Sequence, residues 1–151
     1  MTESTTRLRL WEETFSDSSS LIELRDGRLV LNESGYNRDP NVFTLVIPPP
    51  ERWIAFWKKV ESLGVWKWKR EYSVDMLDGS CWSLELEHEG RRLSTRGFNA
   101  WPKRFGLLAG AVRHLATGEP PRPPRAVRRR LRAYRRESAR ERFNPLVVRL
   151  A

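Results

Sequence analysis

Residues 78–102 hold the residue types that most often carry catalysis, including the only cysteine of the chain, Cys81, and one of its two histidines, His88. Covalent catalysis by cysteine requires a base within hydrogen-bonding reach of the thiol. The alternating sequence "CWSLELEH" predicts a strand, on which successive residues point to opposite faces. Cys81 and His88 then lie on opposite faces, roughly 23 Å apart along an extended strand. We therefore predict that Cys81 is a half-buried structural thiol, unless tertiary folding brings His114 to it.

Three glutamates on the same segment could in principle form a carboxylate pair for general acid–base catalysis. The segment returns after Gly90 with three arginines, which a hairpin would place on the partner strand. Opposite charges on neighbouring strands pair readily. Cross-strand ion pairs are therefore the preferred interpretation of these six residues. They are Glu85, Glu87, Glu89, Arg91, Arg92 and Arg96.

Motifs for metals, nucleotides and acyl transfer are absent from the sequence. The chain has no HxxxH, CxxC or HExxH spacing, and its histidines and cysteine are far apart. It also lacks a P-loop, a GxGxxG fingerprint and a GxSxG elbow. We predict that the protein is not an enzyme, has no catalytic residues, and uses no metal and no cofactor.

The positive charge of the chain is concentrated at its C-terminal end. Residues 118–151 carry 11 arginines, no lysine and three glutamates, whereas residues 1–117 carry 17 basic and 16 acidic residues. Arginine suits bidentate contact with phosphate, so the tail predicts a polyanion-binding segment, with nucleic acid favoured. The predicted nucleic-acid-binding residues are Arg125, Arg128, Arg129, Arg130, Arg132, Arg135, Arg136, Arg140 and Arg142.

The sequence of the tail predicts a linker, a helix and an apolar end. "GEPPRPPR" is typical of an extended proline-rich linker. The following segment has a narrow apolar stripe at Val127, Leu131 and Tyr134, and several of its arginines repeat at i,i+4. Each such like-charge pair costs roughly 0.2–0.5 kcal/mol in an isolated helix, and a polyanion would relieve that repulsion. The final "FNPLVVRLA" could add a strand to a sheet edge of its own body or of a partner.

Composition places the protein among small intracellular domains. Hydrophobic residues make up 39% and charged residues 31% of 151 residues, which suits one modest core with an extension. A single cysteine excludes an intramolecular disulfide framework. The N-terminal residues lack the apolar core of a secretory signal, and no run reaches the length of a membrane span. We therefore predict a cytoplasmic protein that does not bind a membrane; its oligomeric state stays open.

Periodicity predicts strands and two helices in the body. Two hairpins are predicted, at "LIELRDGRLVLNESG" and at "SCWSLELEHEGRRLSTRG". A well-buried strand is predicted at "VFTLVI", and a strand with one solvent-exposed face at "VWKWKREYSV". The first 20 residues are polar and rich in serine and threonine, with Trp11 and Phe15 as candidate anchors, and the first few are expected to be loosely held. One helix is predicted from Pro50 to Gly64 and another after Pro102, ending at Gly118.

The two hairpin regions also resemble each other. A shift of 62 positions superposes "GYN" at residues 35–37 on "GFN" at residues 97–99, and further identities flank them. A proline follows three residues after each asparagine. Because glycine and asparagine tolerate positive φ, a repeated loop shape accounts for these elements better than a ligand-binding lip. The pattern predicts two similar hairpin-then-helix halves.

Residues 53–118 resemble an uncharacterised bacterial domain family. The shared pattern is W-x-x-F-W, W-x-W-x-x-x-Y, D-G-x-x-W and G-x-N-x-x-P, which here begin at Trp53, Trp66, Asp78 and Gly97. The pattern is distinctive as a marker of a fold. The resemblance implies no activity, and the arginine-rich tail does not belong to the family pattern.

These patterns together predict an α+β fold, with an antiparallel sheet built from two similar halves and a C-terminal basic helix. The expected domains are a Trp-rich body at residues 1–118, a linker at 119–125, and a basic helix with a short apolar end at 126–151. The favoured function is a non-enzymatic binding protein whose tail engages nucleic acid. The alternative is a protein–protein module, such as an inhibitor, an immunity-type partner or an assembly subunit, whose tail docks on an acidic protein. An enzyme with dispersed catalytic residues is the third hypothesis.

Overall fold

The computed structural model describes residues 5–14, 18–35, 42–75 and 79–119. The chain divides into two units, Met1–Pro121 and Arg122–Ala151. All described residues lie in the first unit, which we call the body. The predicted basic helix and the apolar end lie outside the described residues, as does the predicted linker except for Glu119.

Within the described residues the body is an α+β fold with one seven-stranded sheet and two helices. The strands lie in the order β4-β3-β2-β1-β6-β7-β5. Their bounds are β1 Arg7–Glu13, β2 Ser19–Arg25, β3 Arg28–Ser34, β4 Phe43–Val46, β5 Glu71–Ser73, β6 Cys81–His88 and β7 Arg91–Phe98. The helices are α1 Pro50–Leu63 and α2 Phe105–Thr117.

The α+β class is confirmed, but the sheet is mixed and not purely antiparallel. Strand β5 runs parallel to β7, with Glu71 opposite Arg96. The predicted strand over residues 65–74 is correspondingly short. Gly64 ends α1 in the left-handed conformation, and the chain continues through a 3-10 turn, Val65–Lys67, before β5 begins. The alternation of Trp66 with Trp68 therefore belongs to a turn and its exit, not to a strand.

Both predicted hairpins are present in the sheet. Strands β2 and β3 meet at Asp26 and Gly27, and β6 and β7 meet at Glu89 and Gly90. All four turn residues have positive φ, as the tight two-residue turns of hairpins require. The shift of 62 carries Gly27 onto Glu89 and not onto Gly90, so the two turns are one residue out of step.

Two strands occupy positions that the sequence did not predict. Strand β1, in a polar segment where no strand was predicted, lies at the centre of the sheet, and its Leu8 and Leu10 are buried. Strand β4, expected to be well buried, is an edge strand with exposed side chains. A continuous apolar run is typical of a buried strand, but in this fold nothing among the described residues lies beyond β4.

The two helices pack on one face of the sheet and enclose the core. Their ends follow the sequence: Pro50 begins α1, and Gly64 and Gly118 end α1 and α2 with left-handed backbones. The alternate residues of the sheet that face the helices join their apolar stripes in one cluster. The largest fully buried side chains are Trp82, Leu8, Leu10, Leu29, Leu84, Leu86, Leu108 and Leu115. The opposite face of the sheet carries no described helix.

Candidate functional site

The body separates the two residues that the sequence singled out for catalysis. Cys81 begins β6 opposite Phe98, and His88 ends the same strand opposite Arg91. The burial alternates along β6, with Trp82, Leu84 and Leu86 on the helix side. His88 shares their parity, so Cys81 and His88 lie on opposite faces, as predicted. Cys81 is a free, half-buried thiol.

Of the three glutamates of the hairpin, only Glu87 forms an ion pair with an arginine across the hairpin. Arg92 Nε lies 3.1 Å from the nearly buried Glu87. Arg91 instead pairs with Glu61 on α1, and Arg96 pairs with Glu71 on β5 at 3.6 Å. The prediction of charge pairing is thus correct for Glu87, whereas the other two arginines take partners from other elements.

His88 belongs to an aromatic cluster between α1 and the end of the hairpin. Its ring stacks face to face on Trp57, with centroids 4.0 Å apart and planes 2° from parallel. Trp66 lies nearly parallel to Trp57 at 6.4 Å, and the Arg91 guanidinium lies 4.8 Å from the centre of the Trp66 ring. A shallow cavity of about 300 Å³ opens over this cluster. Its charged lining residues, Lys58, Glu61, Glu89 and Arg91, balance each other.

Two polar atoms of the cluster have no hydrogen-bond partner in the structure, His88 Nδ1 and Trp66 Nε1. The arrangement offers stacked rings and a cation–π contact, and no serine, threonine or cysteine lies among the residues that line the cavity. The sequence predicted the helix that carries Trp57, but not the stacking of Trp57 with His88. The i,i+4 spacing of Trp53 and Trp57 was the available signal, since it puts both rings on one helix face.

The Gly97-Phe98-Asn99 element builds a corner of the fold, as the structural interpretation predicted. The Trp82 indole donates to the carbonyl of Ala100 at 2.8 Å, and its ring lies where a side chain at Gly97 would be. Asn99 has a left-handed backbone, and its Oδ1 accepts the Ser80 N–H at 2.8 Å. These contacts fix the chain between β7 and α2. The matching "GYN" element lies largely outside the described residues.

Six of the eleven arginines that the structure describes form ion pairs with glutamates. Glu23 pairs with two of these arginines. The pairs are Arg9–Glu23, Arg25–Glu23, Arg91–Glu61, Arg92–Glu87, Arg96–Glu71 and Arg113–Glu12. Exposed pairs of this kind add little stability, but they neutralise the local charge. The other five described arginines and all five described lysines form no ion pair with a carboxylate.

All nine arginines predicted to bind nucleic acid lie in the tail, outside the described residues. In the part of the chain that the structure describes, no group of three or more histidine, cysteine, aspartate or glutamate residues could hold a metal ion. No helix of the described ranges has the length and apolar character needed to cross a bilayer.

No protein-family model matches the chain, and no curated protein shows significant similarity to it. The resemblance noted in residues 53–118 therefore stays a prediction. The function has to be argued from the charge of the chain and from the surfaces of the body.

Proposed function

We propose that this protein is a non-enzymatic binding protein whose arginine-rich tail engages a polyanion, with nucleic acid as the favoured ligand. One observation carries the proposal: the segregation of charge, with 11 arginines against three glutamates in residues 118–151 and near neutrality before them. A strongly basic segment on a neutral body is the electrostatic pattern of a nucleic-acid-binding arm.

The chemistry of the tail supports phosphate as the partner group. Each arginine can donate two parallel N–H bonds to one phosphate, which a lysine cannot do. In this proposal residues 126–142 form a basic helix whose i,i+4 arginine pairs are relieved by the ligand. The body differs from the tail in that its basic residues are balanced by nearly as many acidic ones, 17 against 16 in residues 1–117.

The two-halves interpretation belongs to the same proposal. The hairpins β2–β3 and β6–β7 close with turns that are one residue out of step, so a common origin is supported by the identities around "GYN" and "GFN" in the sequence. The halves would then complete one sheet as a scaffold for the tail, with β1 joining them.

The test compares two full-length variants of equal net charge. In the first, six tail arginines become glutamine. In the second, six exposed basic residues of the body become glutamine: Lys58, Lys59, Lys67, Lys69, Arg70 and Lys103. The tail substitutions are Arg125→Gln, Arg128→Gln, Arg129→Gln, Arg132→Gln, Arg136→Gln and Arg140→Gln. Both variants lower the net charge from +9 by the same amount.

We expect the tail variant to bind RNA and duplex DNA about 100-fold or more weakly than the wild type, measured by fluorescence anisotropy across a salt series. The slope of log K against log[salt] should fall by about 0.7–0.9 for each phosphate that the variant no longer neutralises. The body variant should stay within a few-fold of the wild type. Equal weakening in the two variants would show that only net charge matters and would contradict the proposal.

The second candidate is a protein–protein module, and the exposed apolar edge strand β4 favours it. In the form predicted from the sequence, the tail docks on an acidic protein. Polyglutamate serves as the probe in the same titration. Binding to polyglutamate as tight as to RNA at equal salt would favour the acidic protein partner, because it would show no preference for phosphate.

A further inference from the structure

Among the residues that the structure describes, strand β4 forms an apolar edge of the sheet with no element beyond it. Its side chains Phe43 and Leu45 are 53% and 58% exposed, and the flanking Val42 and Ile47 are 62% and 71% exposed. Residues 42–47, "VFTLVI", include no charged residue. Edge strands of soluble proteins are normally guarded by charges, prolines or bulges, because their free N–H and C=O groups can pair with another strand. Here the first proline after the strand is Pro48, beyond Ile47.

The register of the sheet assigns the exposed side chains to one face. Phe43 lies opposite Asn32 and Leu45 lies opposite Val30. Val30 is opposite Glu23, which is opposite Arg9, so these residues share the face without helices. Thr44 and Val46 share the helix face with Leu31 and Leu29.

We propose that β4 pairs with β4 of a second copy of this chain, antiparallel and about a two-fold axis at Leu45. Opposite residues of an antiparallel pair lie on the same face of the sheet. This register sets Leu45 against its own copy, Phe43 against Ile47, and Thr44 against Val46. The two sheets then join into one continuous sheet, with both helix layers on the same side.

The absence of charged residues from this edge favours a second copy as its partner. In a pair with a two-fold axis, each residue near the centre of the strand lies opposite the same residue or a close neighbour of the other copy. A charged residue there would therefore lie opposite a like charge, which destabilises the pair. Residues 42–47 avoid that conflict entirely. An isologous pair also uses up both β4 edges and closes at a dimer.

The opposite edge of the sheet does not offer a competing partner. Strand β5 has only three residues, and Arg70, Glu71 and Asp75 lie in it or beside it. Charges at an edge oppose pairing with an uncharged apolar strand. Pairing of β4 with β5 of the next copy, which would polymerise without end, is therefore disfavoured.

The size of the contact sets the expected strength of the dimer. A four-residue strand with its apolar flanks gives an interface at the small end of specific contacts, on the order of 1,000 Å² in total. Such contacts are typically weak, so we expect a dissociation constant on the order of 10 µM. This inference concerns the body and is independent of the ligand of the tail.

The first test is sedimentation equilibrium of the full chain from about 1 µM to about 1 mM, a range that brackets this constant. We expect the weight-average mass to double from 17.8 kDa across this range. Leu45→Lys and Phe43→Lys should both keep the mass of one copy. Ile54→Lys is the matched control, because Ile54 is as exposed as Leu45 but lies on α1 and not on β4, and it should dimerise like the wild type.

The second test reads the register. In a Cys81→Ser background, Leu45→Cys should form an intermolecular disulfide at least tenfold faster than Ile54→Cys, because opposed residues bring their Cβ atoms within about 5 Å. A wild-type mass that stays at 17.8 kDa up to the highest concentration would overturn the proposal. So would a Leu45→Lys variant that still dimerises while circular dichroism shows it folded.

Discussion

Replacing Gly97 with alanine is expected to lower the free energy of unfolding by about 3 kcal/mol. A Cβ at this position would lie 2.0 Å from Trp82 Nε1 and 2.5 Å from the Ala100 carbonyl oxygen. Neither group can move aside freely, because the indole is 1% exposed and donates to that same carbonyl. The added methyl must therefore displace the backbone between β7 and α2 or break the hydrogen bond.

Gly106→Ala supplies the control for the Gly97 prediction. Gly106 lies in the first turn of α2, and a Cβ there meets nothing within 4 Å. Alanine in a helix is favoured over glycine by up to about 1 kcal/mol. Urea unfolding of the two variants should therefore move the midpoint in opposite directions. If both midpoints move upward, the close approach at Gly97 is not as described.

Replacing Trp82 with alanine is expected to cost about 3–5 kcal/mol. Trp82 is the largest fully buried side chain, and its ring lies 4.6 Å from that of Phe105 on α2 and 6.1 Å from that of Tyr72 on β5. Its removal leaves a cavity where the sheet meets α2 and also leaves the Ala100 carbonyl without its donor. Because the free energy of unfolding of such domains is only about 5–15 kcal/mol, this substitution removes a large part of it.

Trp101→Ala is the matched control for Trp82. Trp101, in the loop before α2, is also a tryptophan but is 46% exposed, so its replacement should change stability by less than about 1 kcal/mol. Trp82→Phe should fall between the two, since it keeps most of the ring but loses the indole N–H. Urea unfolding monitored by far-ultraviolet circular dichroism measures all three. Equal destabilisation by Trp82→Ala and Trp101→Ala would contradict the central position of Trp82.

The elements that were predictable from the sequence are those with strong local signals. Asp26-Gly27 and Glu89-Gly90 set both hairpins through positive φ, and Pro50 and Gly64 set the ends of α1. These residues restrict their own backbone and need no distant partner. The alternation of Leu8 and Leu10 with arginines also indicated a strand. The polar residues around it made the segment look like a terminus without regular structure, so β1 was not predicted.

The position of a strand within the sheet was less predictable than its existence. The apolar run of β4 looks the same whether another strand covers it or not, so the sequence could not place it at the edge. The parallel pairing of β5 with β7 likewise depends on where α1 returns the chain. The same limit applies to the aromatic cluster, because the stacking of Trp57 on His88 joins a helix to a hairpin 31 residues further along the chain.

The central place of β1 has a consequence for how the chain folds as the ribosome makes it. Strand β1 is synthesised first, and β2 can pair with it soon afterwards, but its other neighbour is β6. Arg9 and Ser83, which contact each other across that pairing, are 74 residues apart. Until β6 emerges, β1 is a temporary edge, and its Arg7 and Arg9 lie along it. Charges on an edge discourage pairing with other chains, so these arginines protect the nascent sheet during the interval before its two parts join.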